Sequence, residues 1–299
     1  MCGSRLTACA AFFWAALASG PPTLGGSPAE ASEITAESNA NAHMNLAGRQ
    51  RMLTQQLARN ACFVMAGVEP ERFAAKTEEN VQQFNGVLVG LRAGDVTLGM
   101  LPEEDPGILA ALEEVEELWA TLGPAARQIS AGDYHSIPMA QLITLNTATL
   151  KRMHETVLAM TETYQSADIP AAMLKTVGVA GRQRMLTQKV SKEVCFSIIG
   201  LDGLGAPELV DATVAEFDTA MAALLTGSEA EGILPPPTLA VTRQLETAQG
   251  SWQALKDLLQ QIRAQPDVDH DTRVRLAYMS DDVLRQMNEA VNLYVQSRP

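Results

Sequence analysis

The sequence predicts an all-α protein made of two tandem four-helix bundles related by an internal duplication, with pseudo-twofold symmetry. Three observations predict it. Of 299 residues, 46% are hydrophobic and only 5% aromatic, and stretches rich in Ala, Leu, Glu, Gln and Met favour helix over strand. No run alternates with period two for long, whereas apolar residues recur at helical spacing. A self-comparison then returns two copies of one module of about 125 residues.

The duplication is unambiguous. Ala47-Gly48-Arg49-Gln50-Arg51-Met52-Leu53-Thr54-Gln55 recurs unchanged, 133 positions later, as Ala180-Gly181-Arg182-Gln183-Arg184-Met185-Leu186-Thr187-Gln188. The same offset carries Cys62-Phe63 to Cys195-Phe196, Phe84 to Phe217, Gly94 to Gly227 and Trp119 to Trp252. After one inserted residue, Leu150, Met153, Glu155 and Val157 match Leu284, Met287, Glu289 and Val291.

Each copy reads as four helices, at about 34–66, 71–93, 107–131 and 138–166, then 171–200, 207–226, 237–264 and 270–297. Pro70, Pro106 and Pro207 suit first turns, and Gly67, Gly94, Gly200 and Gly227 suit C-terminal caps. Pro124, which has no counterpart in the second copy, predicts a kink or break in the third helix. The expected bundles are 34–166 and 171–299, joined at Asp168-Ile169-Pro170. Leu53, Leu57, Ala61 and Val64 form one helical stripe, matched by Leu186, Val190, Val194 and Ser197, which reads as bundle core with the serine intruding.

Ahead of the repeat, Arg5, the apolar run from Leu6 to Leu17 and the small residues Ala16 and Ala18 read as a secretory signal peptide over 1–18, followed by a linker over 19–33. Leu6-Thr7-Ala8-Cys9 looks like a lipoprotein box, but it precedes the apolar core instead of following it. No other segment approaches the roughly 20 apolar residues of a membrane span, so the expected mature protein is soluble and periplasmic. The formal charge of −13 and a pI near 4.8 argue against nucleic acid and anionic lipid as partners, since both require a basic footprint. There is no His pair at metal-ligand spacing, no haem-attachment motif, no nucleophile elbow and no phosphate-binding glycine loop. No cofactor, metal or catalytic activity is expected.

On the first helix of each copy, Arg51, Gln55, Ala58 and Cys62 share a face within about 60°, as do Arg184, Gln188, Ser191 and Cys195. The small mid-stripe residue admits a close helix neighbour. If the two first helices pack together, Arg51 and Arg184 converge, and two facing guanidiniums call for a small oxyanion such as nitrate between them. The alternative pairs each arginine with carboxylates of its own bundle, for example in Glu113-Glu114-Val115-Glu116-Glu117. Cys62 and Cys195 meet near the axis if the helices run parallel. A disulfide there would add ~2–4 kcal/mol; otherwise they are two reduced, packed thiols.

The string Asn45–Gln55 and its partial repeat at 178–188 resemble the signature of the PilJ-type sensor domain, the N-terminal periplasmic module of type IV pili methyl-accepting chemotaxis transducers, akin to the sensor domain of nitrate/nitrite sensor kinases. The resemblance implies a helical sensory bundle that binds its ligand between two first helices. It implies that Arg51 and Arg184 hold a nitrate- or nitrite-like anion, and that Gly48 and Gly181 let it approach the backbone. Gln55 and Gln188 would support the arginines, with Arg49 and Arg182 as weaker candidates. The sequence departs from the nitrate sensors at Arg49-Gln50 and Arg182-Gln183, where those have a small and then an apolar residue. It also shows no kinase, HAMP or methyl-accepting segment, so the expected output is a membrane-bound sensor or transducer partner. The rival expectation is a non-catalytic structural or interaction module, docking to a pilus, a transducer or an envelope complex without a small ligand.

Overall fold

The Thr35 hydroxyl accepts the Ser38 amide N–H at 3.1 Å and opens the first helix. Similar side-chain caps from Asp105, Thr238 and Asp269 open three others, each satisfying an amide that the helix itself leaves unpaired. A computed structural model of the chain describes residues 34–165, 171–201, 203–265 and 267–297. The predicted signal peptide over 1–18, the linker over 19–33 and the joint at Asp168-Ile169-Pro170 lie outside the described residues.

Eight α-helices and a short 3₁₀ turn at Val96–Leu98 make up the described fold, with no strand among the described residues. The first four are α1 (Ala36–Met65), α2 (Pro70–Ala93), α3 (Pro106–Ser130) and α4 (Ser136–Tyr164). The second four are α5 (Ala171–Ile198), α6 (Pro207–Thr226), α7 (Leu239–Ala264) and α8 (His270–Gln296). Every boundary falls within about two residues of the sequence expectation. Pro70, Pro106 and Pro207 occupy first turns, where a missing N–H costs nothing.

Two expectations are refined. Of the kink or break expected at Pro124, the break is absent, and helix α3 runs on through it. Ala120, whose carbonyl loses its donor there, is exposed to water, and Leu122, Ala125, Ala126 and Ile129 hold the far half of the helix on the core. Ser197, expected in the core stripe, is exposed, while Leu186, Val190 and Val194 are buried. Helix α5 ends one residue later.

The duplication repeats in three dimensions. Phe84 stacks on Trp119 at 3.6 Å between ring centroids, and Phe217 on Trp252 at 3.8 Å. The indole N–H groups donate to Asn85 and to Asp218, one offset apart. Gln50 donates to the Phe84 carbonyl, and Gln183 to that of Phe217. Isolated bridges recur at Asp95–Met100 and Ser228–Ile233. The two halves share one continuous apolar core, and the most extensive helix contact is α1 against α5.

The caps of α2 and α6 yield a graded prediction. Gly94 and Gly227 adopt φ of 80° and 78°, a region that L side chains rarely enter. A Cβ on Gly94 would sit 2.7 Å from the Pro102 backbone nitrogen, against 3.1 Å from that of Pro235 for Gly227. Gly94→Ala is expected to cost about 2–3 kcal/mol and Gly227→Ala about 1–2 kcal/mol in urea unfolding. Equal costs would mean that the loop contact at Pro102 yields freely.

Candidate functional site

Helices α1 and α5 run side by side in the same direction and in register. Cys62 and Cys195 are joined by a disulfide with their Cα atoms 6.2 Å apart, across a separation of 133 residues. One turn earlier, Arg59 donates to Gln188 Oε1 at 2.8 Å, and Lys192 donates to Gln55 Oε1 at 2.6 Å. These are one contact seen from its two symmetric sides, because 59 and 192 are equivalent, as are 55 and 188. Ala58 and Ser191 are fully buried in the seam, where their small side chains permit the close approach.

Three turns before the disulfide, Arg51 and Arg184 stand at the same seam, each 4% exposed. A Cβ placed on Gly48 would lie 3.5 Å from Arg51 Nη2 and 3.8 Å from Arg184 Nη2, and one on Gly181 would lie 3.2 Å from Arg184 Nη2. The two guanidiniums therefore converge beside the Gly48 backbone, and glycine leaves the space between them open.

Their hydrogen bonds are all to neutral groups. Arg51 Nη1 donates to His154 Nδ1 at 3.1 Å, and Arg184 Nη1 donates to Asn288 Oδ1 at 3.4 Å. Positions 154 and 288 are equivalent under the duplication, so each arginine leans on the fourth helix of its own half. Arginine can only donate, so His154 Nδ1 must accept, which leaves the ring neutral with its proton on Nε2. Burial, with help from Arg51 and Arg182, holds the His154 pKa below its ordinary value, consistent with that form.

Arg184 Nη2 also reaches Asn45 Oδ1 at 3.1 Å. The position equivalent to Asn45 is Gly178, which offers Arg51 nothing comparable, and the Arg51 Nε–H is buried without a partner.

Among the described residues, no carboxylate pairs with Arg51 or Arg184. Of the acidic run expected as an alternative, Glu114 pairs with Arg152 and Glu116 with Arg92. Burial and, less strongly, Arg182 lower the Arg51 pKa to about 10. Burial, Arg51 and Arg49 lower that of Arg184 to about 9. Both stay protonated at neutral pH, and two buried, converging cations without a counter-ion are costly.

The other predicted residues fall into two sets. Arg49 donates to Gln83, and Arg182 forms an ion pair with Glu216, the position equivalent to Gln83. These arginines flank the pair and act on it through charge. Gln55 and Gln188 lie one turn further along the seam and bond to Lys192 and Arg59, not to Arg51 and Arg184.

His154, Asn288, Arg59 and Lys192 were not singled out by the sequence, and Asn45 entered only as the first residue of the family-like string, with no role of its own. A signal did exist for Arg59 and Lys192: equivalent positions, four residues after the glutamines, both carry a cation. His154 and Asn288 align only after the inserted residue and differ in type, so nothing marked them.

The pattern of the family described as PilJ, type IV pili methyl-accepting chemotaxis transducer N-term, matches residues 34–145 and again residues 173–276. The chain belongs to this family, with two copies of its module, and so to a class of helical sensory domains. It is also similar to the methyl-accepting chemotaxis protein McpN of Pseudomonas aeruginosa, at 33% identity over 121 residues. That match covers 40% of this chain and 22% of the relative. Among the described residues no helix is long and apolar enough to cross a membrane, and no cluster of His, Cys, Asp and Glu side chains suits a metal ion.

Proposed function

We propose that this chain is a non-catalytic, periplasmic sensory module that binds a small oxyanion, nitrate- or nitrite-like, between Arg51 and Arg184. The observation that carries the reading is the convergence of two buried guanidiniums beside Gly48 with only neutral partners. A planar oxyanion would supply the missing charge and accept from the unpartnered Arg51 Nε–H. The in-register pairing of α1 and α5 supports an arrangement in which one duplicated chain provides both halves of the site.

Each arginine also contacts the fourth helix of its own half, through His154 on α4 and Asn288 on α8. An anion that draws the guanidiniums toward the axis would pull on α4 and α8 together. That gives the module a way to change shape at helix ends, to be read by a membrane-bound transducer or sensor.

Isothermal titration of the full chain with nitrate and nitrite tests this. The expectation is saturable heat with one anion per chain, and a loss of at least about a hundredfold in affinity in Arg51→Ala/Arg184→Ala, since charge-assisted bonds contribute about 1.5–3 kcal/mol each. No heat with either anion would remove the oxyanion reading and favour a docking module without a small ligand.

A further inference from the structure

The duplication is broken a second time along the α1–α5 seam, around Arg59 and Lys192. On one side, Arg59 is fully buried and pairs with Asp281 of α8 at 2.8 Å. Arg72 and Lys76 of α2 pair with the same carboxylate at 3.0 and 2.6 Å, and the Phe73 ring packs beneath all three cations. On that side the buried cation has a carboxylate partner, and Glu69 also pairs with Arg72.

On the equivalent side the glutamine contact is kept, but the charged and aromatic partners from α2 and α8 are replaced. Arg59 becomes Lys192 and Asp281 becomes Thr147, while Arg72, Phe73 and Lys76 become Gly205, Ala206 and Leu209. The first turn of α2 has no helical counterpart, because α6 starts only at Pro207, whose ring disfavours helix at the residue before it. The chain at Gly205 lies so close to α5 that a Cβ there would stand 2.4 Å from the Glu193 carbonyl oxygen. No side chain from that position can refill the space.

What remains is a cavity of about 200 Å³ between α1, α4, α5 and α6. Lys192, 8% exposed, is in its wall. Its ammonium donates to Gln55 Oε1 and Asn146 Oδ1, and the third N–H of an ammonium has no partner among the described residues. The other charged residues of the lining, Lys189 and Glu193, pair with each other at 2.9 Å, and Glu193 also accepts from Thr213. Glu193 also attracts Lys192, but its bonds go to Lys189 and Thr213, and the three charged groups leave an excess of one positive charge facing the cavity. Leu142, Ile143, Phe196, Leu204 and Leu209 make much of the rest of the wall apolar.

We propose that this cavity is a second ligand site, distinct from the arginine pair, which takes a small carboxylate with a short apolar tail. The carboxylate meets Lys192 on the side of Thr147, in the place that Asp281 fills against Arg59, and the tail lies on the leucine and phenylalanine wall. The volume limits the tail to a few carbons.

Isothermal titration of the full chain with sodium butyrate, butan-1-ol and butylamine tests the proposal. Butyrate is expected to bind saturably in the millimolar range or tighter, the alcohol and the amine at least tenfold more weakly. Thr147→Asp supplies an internal counter-ion and should lower butyrate affinity at least tenfold, as should Lys192→Met. Arg51→Ala/Arg184→Ala should retain butyrate binding whether or not the arginine pair binds nitrate. The proposal is overturned by no saturable butyrate binding, by equal binding of butan-1-ol, by unchanged affinity in both Thr147→Asp and Lys192→Met, or by loss of butyrate in the arginine variant.

Discussion

Replacing Asp281 with asparagine is expected to lower stability by about 3 kcal/mol, the lower end of the cost of breaking a buried ion pair because the carboxylate keeps some water contact. Its side chain is 20% exposed, whereas that of Arg59 is 0% exposed. The substitution preserves shape and removes the one carboxylate that Arg59, Arg72 and Lys76 share, although Arg72 keeps Glu69. Arg59 would keep its bonds to Gln188, Ser191 and the Ala277 carbonyl, but these are neutral acceptors.

The effect has a defined pH dependence. Burial alone would raise the Asp281 pKa, but Arg59 and Lys76 more than reverse this and hold it below the ordinary aspartate value. Its contribution is therefore complete above the unfolded-state pKa and is lost as pH falls through the folded one. Urea unfolding of the disulfide-intact protein at neutral and acid pH should show wild type and Asp281→Asn converging in acid. A neutral-pH difference below about 1 kcal/mol would place the pair among weak surface contacts.

Arg51→Met, by contrast, is expected to stabilise the anion-free protein by about 1–3 kcal/mol, in the manner of buried charges replaced by apolar side chains of similar volume. Arg51 is as buried as a core residue, its Nε–H has no partner, and Arg182 repels it. The substitution frees His154 of a donor, a smaller loss. Arg51 and Arg59 occupy the same helix and are both buried cations. Only Arg59 has a carboxylate, so loss of charge balance at Asp281 and loss of the charge at Arg51 should move stability in opposite directions. Destabilisation by Arg51→Met would mean that the arginine contributes to packing in the unliganded fold.

Much of the fold was legible because it rests on local signals repeated twice. First-turn prolines, capping glycines and the helical stripe placed eight helices, and the identical nine-residue string marked the face on which the halves meet. Of the kink or break expected at Pro124, no break occurs, because tertiary packing outweighs one lost backbone bond when the orphaned carbonyl is exposed to solvent.

The convergence of Arg51 with Arg184 was legible from spacing together with the inference that the helices pair. Their actual partners were not. His154 and Asn288 come from helices about a hundred residues away, and Asn45 matters through a contact across the seam that its own helix face does not advertise. The cavity at Lys192 was also hidden, because it arises from what the second copy lacks. Only the superposition of Arg72, Phe73 and Asp281 on Gly205, Ala206 and Thr147 exposes it.

The most direct test of the arginine pair is chemical unfolding of wild type and Arg51→Met/Arg184→Met, each in chloride-free gluconate buffer and again with nitrate at matched ionic strength. A ligand that binds only the folded state stabilises it by about 2.7 kcal/mol at a hundred times its Kd. Without nitrate the variant should be the more stable protein; with nitrate the wild type should gain stability and the variant should not. Equal gains from nitrate in both proteins would contradict an oxyanion site at Arg51 and Arg184.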